Sequence, residues 1–222
     1  MGLDINAIKY LLYLKSKHID FGKFGMLGRQ SLYGSHEDII KAADNINISL
    51  EKKVVDNFLT KNNGFSEQFF EYLGAKSIDS FDCSDYQGAT NIFDFNEYLP
   101  DSLKSKYDFF LDSGSLEHIY NFPVAIQNCM DLLKPGGHFL CITPVNNFMG
   151  HGFYQFSPEL FYNVLSVKNG FDIRYMLIYR ENNKKESIFY KVMSPEVAKS
   201  RVMLTNCYPT MLLVLAQKIK KF

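Results

Sequence analysis

The sequence predicts an α/β fold with a mostly parallel sheet, helices on both faces and a closing antiparallel hairpin. Three observations carry this expectation. Short apolar runs alternate with segments of helical periodicity, joined by short connections. Most of those runs finish in an aspartate or a glycine. The stretch YDFFLDSGSLEHIYNFPVAIQNCMDLLKPGGHFLCITP, from Tyr107 to Pro144, reads continuously as strand, loop, helix, turn and strand. That order is the crossover between parallel neighbours.

Residues 5–17 put Ile5, Ile8, Leu11, Leu12 and Tyr13 on one face at helical spacing, predicting a leading helix. KFGML (Lys23 to Leu27), closed by Gly28, is the first strand. Two short helices are expected in the polar segment that follows. Ser35 and Asp38 make a partial capping box for one, whereas Ser49 and Lys52 make none for the other. SEQFFEYLG is a helix with Ser66 as N-cap and Gly74 just past its end. KSIDSFD is a strand ending in Asp82, ATNIFDFN one carrying Asp94, and YDFFLD one ending in Asp112. Residues 122–133 form a helix with Pro123 in its first turn, where a missing N–H costs nothing. GGHFLCITP is the next strand. SPELFYNVLS is the next helix, with Ser157 as N-cap, Pro158 at N1 and Glu159 close to the positive end of the dipole. FDIRYMLIYR and YPTMLLVLAQK supply the closing hairpin, and the charged segment between them reads as surface.

The 222 residues are enough to bury a sizeable core, and one domain spanning 1–222 is the simplest organisation. Hydrophobic content of 46% and charge of 22% are those of a soluble globular protein. Lys and Arg number 24, as do Asp and Glu, so no basic excess exists to neutralise phosphates and no nucleic-acid partner is expected. Cys83, Cys129, Cys141 and Cys207 form no C-x-x-C pair and read as small apolar fillers in a reducing compartment. The first residues carry no signal-peptide pattern, and no apolar run approaches the roughly 18 residues of a membrane span, so the expectation is a cytoplasmic protein with no membrane partner.

In an open α/β sheet, ligands collect outside the carboxyl ends of the strands. Here Gly28, Asp82, Asp94 and Asp112-Ser113-Gly114 stand at or near those ends. Asp and Gly also mark ordinary turns. Three consecutive strands with a carboxylate near the end point further, and one after the second strand is placed to hold a ribose diol by two hydrogen bonds.

At these residues the chain resembles the class I S-adenosylmethionine-dependent methyltransferases. The resemblance rests on Asp108 opening the fourth strand, on Leu116-Glu117-His118 after it, and on the Leu133-Lys134-Pro135-Gly136-Gly137 turn before the fifth; it covers roughly residues 23–145. Beyond it, TPVNNFMGHGFYQFSPELF is similar to a subgroup that modifies polysaccharides and small molecules. The resemblance implies a Rossmann-like sheet and S-adenosyl-L-methionine as cofactor. Asp82 would bind the ribose, and Asp94 and Phe95 would lie beside the adenine. Asp112, Ser113, Gly114 and Ser115 would line the methionine and sulfonium end. The loop Gly28-Arg29-Gln30 would hold the amino-acid moiety, with Arg29 pairing with its carboxylate. That loop departs from the family's approximate G-x-G-x-G. Segment 31–63 is longer than the family's usual link and reads as a helical cap over the pocket or an oligomer contact; the extra helices make a homodimer a reasonable expectation.

Methyl transfer requires the acceptor atom in line with the methyl group, and a hydroxyl acceptor is helped by a base, for which histidine suits neutral pH. His118 follows the fourth strand, where it either serves chemistry or shapes the loop. His151 lies in the loop after the fifth, between Gly150 and Gly152, which let the backbone bend close to a ligand. Its other reading is a histidine hydrogen-bonded within a folded loop. Asn146, Asn147, Tyr154 and Gln155 suit a polyhydroxyl small-molecule acceptor, Phe153 and Phe156 suit packing, and His36 and His138 suit structure. No spacing is that of a metal site, and no metal is expected.

The implied activity is O-methylation of a nucleotide-linked sugar or another surface-polysaccharide precursor. A nucleotide- or NAD-dependent enzyme of another reaction class would also use the acid after the second strand, but GKFGMLGRQ lacks G-x-G-x-x-G. A non-catalytic binding module on the same fold draws support only from the Gly-Arg-Gln loop.

Overall fold

A computed structural model describes residues 2–181, 187–201 and 203–220. In chain order its elements are β1 (Gly2–Leu3), α1 (Ile5–Ser16), β2 (Lys23–Leu27), β3 (Ser31–Leu32), α2 (His36–Asp44), α3 (Lys52–Thr60), α4 (Glu67–Leu73), β4 (Ser77–Asp82), β5 (Asn91–Ile92), β6 (Tyr107–Ser113), α5 (Phe122–Leu132), β7 (Leu133–Asn146), α6 (Pro158–Val164), β8 (Phe171–Glu181), β9 (Ser187–Lys191), α7 (Pro195–Ala198) and β10 (Thr210–Lys218). Two compact units result: residues up to Asp94 with Tyr107–Phe109, and Phe95–Lys106 with the residues from Phe110 on. The fold is α/β with a mostly parallel sheet flanked by helices and closed by antiparallel strands, as the sequence predicts.

In the first unit β5, β4, β2 and the opening of β6 are neighbours in that order. The β2–β4 and β4–β5 ladders are parallel, with Lys23 opposite Ser77 and Leu27 opposite Phe81. Phenylalanines fill the core: the Phe24 ring lies 4.2 Å from that of Phe70 and 5.4 Å from that of Phe109, spacings at which ring pairs add to the burial of apolar area. The capping box at α2 is complete, Ser35 and Asp38 each bonding the other's backbone N–H, worth about 1 kcal/mol. A His36–Asp56 bond ties α2 to α3, so His36 is structural as expected. Phe58 of α3 packs edge-on against Phe69 of α4 at 5.4 Å. Two short strands escape the sequence: β1 and β3 pair in a separate parallel sheet. The expected strand around Asp94 shrinks to two residues, because β5 pairs only with Phe81 and Asp82 and its ladder stops where β4 stops.

The second unit holds the rest of β6, then β7, β10, β8 and β9. β10 lies between β7 and β8 and is antiparallel to both. Leu212 to Ala216 are fully buried because this strand is covered on both faces and paired on both edges, which explains its unbroken apolar run. The charged segment read as surface contributes one more strand, β9, antiparallel to β8, and the short α7. Asn128 of α5 is buried and holds an otherwise irregular segment, accepting from Leu99 N at 2.9 Å and donating to Glu97 O at 2.7 Å. Among the described residues no helix is long and apolar enough to cross a membrane.

Lys218 closes α5. It is only 3% exposed, and its Nζ donates to Met130 O at 2.9 Å and Leu133 O at 3.0 Å, the carbonyls that the end of the helix leaves open. Burial pushes its pKa down. Lys218→Met keeps the aliphatic stem and removes both charge-assisted bonds; it should lower the unfolding free energy by roughly 2 kcal/mol. Urea denaturation checks this, and an unchanged midpoint would mean that the two bonds add nothing.

Candidate functional site

At the carboxyl end of β6 the chain buries a carboxylate. Asp112 is fully inaccessible. Its Oδ1 accepts from the backbone N–H groups of Ser115 (3.0 Å) and Leu116 (3.2 Å), and the Cys141 thiol of β7 faces Oδ2 at 3.3 Å. These bonds wind Ser113 to Leu116 into a tight loop, and the Gly114 N–H joins it to Ile142 O at 3.0 Å. Burial first, and then repulsion from Glu117, raise the Asp112 pKa to about 8.

The next three residues, Leu116–His118, form one 3-10 turn. It carries Leu116 and Glu117 inward and leaves His118 exposed. Glu117 is 0% exposed. The Thr143 hydroxyl donates to its Oε2 at 3.2 Å. Its Oε1 is buried with no hydrogen bond, and His151 Nε2 stands 3.6 Å away. Burial raises the Glu117 pKa, opposed by its own backbone N–H, by Thr143 and by His151.

His151 reaches this position because its loop is fastened to Glu117 by backbone. Glu117 O accepts from Phe153 N at 2.7 Å and from Tyr154 N at 3.3 Å. Gly152 makes the approach feasible: it has φ +73°, and a Cβ there would lie 2.8 Å from Glu117 O, a contact no larger residue could make. The His118 and His151 rings meet at 5.0 Å and 67°. Burial, then the neighbouring His151, lower the His118 pKa. The two histidines singled out separately thus converge on one buried acid.

Of the residues expected to bind the acceptor, three serve the shape of the loop. Asn147 Nδ2 donates to Asn206 O, Asn206 Oδ1 and Tyr208 O, each at 2.9 Å. The Tyr154 hydroxyl donates to Tyr120 O at 2.6 Å, and Gln155 Oε1 accepts from Phe148 N at 2.9 Å. Asn146 ends β7, half-buried and opposite Thr210. Phe156 packs as expected, 4.4 Å from Phe122. Phe153 packs at the surface: it is 65% exposed and meets the Tyr120 ring edge-on at 6.1 Å.

In the first unit, Gly28 N donates to Phe81 O at 2.7 Å, closing the loop after β2 onto β4. Arg29 is already engaged: Nε donates to Glu67 Oε1 at 2.6 Å, Nη1 to Gln87 O at 2.8 Å, and the guanidinium lies 4.1 Å over the Phe65 ring. Gln30 is fully buried, with Nε2 donating to Leu27 O at 2.8 Å and Oε1 lacking any partner. Ser66, the expected N-cap, gives its hydroxyl to Gln30 O instead. Asp82 ends β4; its Oδ1 accepts from Ser84 N at 3.1 Å, and among the described residues its Oδ2 has no hydrogen bond. Asp94 is exposed. Phe95 belongs to the second unit, buried and stacked 6.4 Å from Phe110.

Sequence reasoning passed over Glu117 as a site residue. The available signal was an acid between a leucine and a histidine directly after a strand, where a turn must face it inward or outward. No protein-family model matches the chain, and no curated protein does. Solved structures do. A SAM-dependent methyltransferase from Archaeoglobus fulgidus is 12% identical, over 97% of this chain and 95% of that one, with a TM-score of 0.52. The N-methyltransferase NodS from Bradyrhizobium japonicum WM9 is 11% identical, over 97% and 96%, at 0.51. An S-adenosylmethionine-dependent methyltransferase from Mesorhizobium loti is 13% identical, over 96% and 98%, at 0.50. At such identity the likeness is one of fold.

Asp112 yields a pH test. Its folded pKa, about 8, lies above its ordinary 3.8, so the folded chain holds the proton more tightly than the unfolded one. The associated stability is fully present below about pH 4 and is lost as pH rises through the folded value. Asp112→Asn keeps an acceptor for the Ser115 and Leu116 N–H groups and removes the titration. The fall in Tm between about pH 5 and 8 should therefore flatten in the variant. Equal slopes in the two proteins would mean that this carboxyl is ionised when folded.

Proposed function

We propose that the chain is an S-adenosyl-L-methionine-dependent methyltransferase that methylates a hydroxyl of a small polar acceptor, such as a nucleotide-linked sugar or another precursor of a surface polysaccharide. One observation carries the reading: the buried Glu117 carboxylate, with His151 3.6 Å from its unpartnered oxygen, in a fold shared with solved methyltransferases. The balanced charge of 24 basic and 24 acidic residues favours a small molecule over nucleic acid. The described cysteines are free thiols, which suits a reducing cytoplasm.

Two acceptor atoms of the first unit suit the cofactor. Asp82 Oδ2, without a hydrogen bond among the described residues, fits the ribose hydroxyls, and Gln30 Oε1, buried and unpartnered, fits an ammonium. Arg29 has no part in holding a carboxylate while it is paired with Glu67. Asp112 acts at one remove, shaping the Ser113 to Ser115 loop through the bonds of its buried carboxyl.

S-adenosyl-L-methionine would supply an electrophilic methyl group. The chain's own tasks are to orient the acceptor hydroxyl and to take its proton. With Nε2 on the Glu117 side, 3.6 Å from Oε1, His151 has its other ring nitrogen for that proton, and Glu117 as an anion would stabilise the imidazolium that forms. The exposed His118, its ring 5.0 Å from that of His151, offers a polar partner to a sugar, as does Asn146 at the end of β7.

Calorimetric titration with S-adenosylhomocysteine tests the cofactor. Micromolar binding is expected, weakened about 10- to 100-fold in Asp82→Ala, the effect of losing hydrogen bonds to a charged group. Folded protein that binds none at high ligand concentration would reduce the proposal to a statement about fold.

A further inference from the structure

We propose that Glu117, His118 and His151 form a binding site for a divalent transition-metal ion, zinc being the best fit. The spacing of these residues along the chain gave no such signal, since 33 positions separate the last two. The fold supplies it. One ligand atom from each of the three lies within 4.8 Å of the others. The Glu117 Oε1 to His151 Nε2 separation is 3.6 Å, close to the distance of about 3.4 Å between two ligands of a tetrahedral ion bound at about 2.1 Å.

The Glu117 carboxylate is what turns proximity into a site. A buried carboxylate oxygen ordinarily has a hydrogen-bond donor, because leaving it bare costs free energy. Here Oε1 is inaccessible and has none, although His151 is near enough to rotate into contact. A charged pair of this kind closes to about 2.8 Å when it is the intended partnership. The gap of 3.6 Å is too long for a hydrogen bond and right for two ligands sharing one ion.

The surroundings are those of a ligand set held in advance. The Thr143 hydroxyl fixes the other carboxylate oxygen at 3.2 Å, as outer partners orient metal ligands. The backbone of the His151 loop is locked to Glu117 O by Phe153 and Tyr154, with Gly152 permitting the contact. The histidines stay open to solvent on the far side, the His151 side chain being 49% exposed. An ion with three protein ligands would thus keep a position for water or a substrate oxygen. Two imidazole nitrogens with one carboxylate oxygen select zinc or another first-row ion over magnesium and calcium, which prefer all-oxygen shells.

The site goes beyond the methyltransferase reading and stands or falls separately from it. If both hold, the ion would bind the acceptor hydroxyl and lower its pKa, with His151 as ligand in place of base.

The test is calorimetric titration of the full chain, stripped with a chelator and dialysed, using zinc chloride and, in parallel, magnesium chloride. The exposed thiols Cys83 and Cys207 are first changed to serine, since they could take up zinc themselves. One equivalent of zinc should bind at micromolar concentration or tighter, and magnesium should not compete. Glu117→Gln, which retains a partner for Thr143, and His118→Ala, at an exposed position, should each weaken zinc by more than the about 10- to 100-fold that loss of an outer partner costs. The exposed variant keeps the test decisive if the buried one fails to fold. Absence of stoichiometric zinc, or equal affinity in the parent and His118→Ala, would overturn the proposal. Zinc uptake without S-adenosylhomocysteine binding would leave the ion site standing and remove the methyltransferase; the reverse result would do the opposite.

Discussion

Two carboxylates sealed from water within six residues set the terms for the second unit. Asp112 and Glu117 are both fully buried, and like charges so placed cannot both ionise without large cost. The chain divides the roles. Asp112 is surrounded by the N–H groups of its own loop, with its pKa raised to about 8. Burial raises the Glu117 pKa as well. Glu117 has the more polar neighbours: a threonine hydroxyl on one oxygen and histidine beyond the other. A proton held by either acid relieves the repulsion between them.

The geometry of the 147–156 loop follows from the same residue. Its chain is fastened through the Glu117 carbonyl, and its ends through Asn147 and through the Phe156 N–H, which meets Pro144 O at 3.0 Å. His151 is therefore positioned by backbone bonds of its neighbours rather than by bonds of its own ring. A loop so held presents a histidine with little conformational entropy left to lose when a ligand arrives. Glu117 is thus at once the hinge pin of the loop through its main chain and the neighbour of the His151 ring through its side chain. Replacing it would disturb both, which is why the isosteric glutamine is the informative substitution.

Much of the fold was legible because its signals are local. Apolar runs at 23–27, 77–82 and 107–113, Pro123 and Pro158 at helix starts, and Gly74 in the left-handed conformation at the end of α4 each report on a few neighbouring residues. Strand β9 was hidden because its short centre, Ile188-Phe189-Tyr190, sits inside a charged stretch, and only pairing with β8 makes it a strand. The site was legible in part for a related reason. The residues at the strand ends could be named, but what they bond to is decided by partners far along the chain. Arg29 finds Glu67 and Gln87, 38 and 58 positions away. Asn147 finds Asn206, 59 away. Glu117 and His151 meet only because β6 and β7 bring their following loops together.

The unusual Gly28-Arg29-Gln30 loop illustrates how side chains can replace glycines. A glycine-rich turn lets backbone approach a ligand, but it is floppy until bound. This loop is instead stiffened from within and from both sides. Gln30 Nε2 bonds the carbonyl of Leu27, Gln30 O accepts twice from Ser66, and Arg29 is clamped between Glu67 and Gln87. Rigidity of that kind removes part of the ordering cost of binding. The departure from the glycine pattern is therefore weak evidence against a ligand; the stronger consideration is which acceptors the stiffened loop leaves open. Gln30 Oε1 is one, buried and unpartnered, and Glu67 Oε2 beside the Arg29 clamp is another. A polar atom held in that state costs free energy in the free protein, and the cost is recovered only when a donor reaches it.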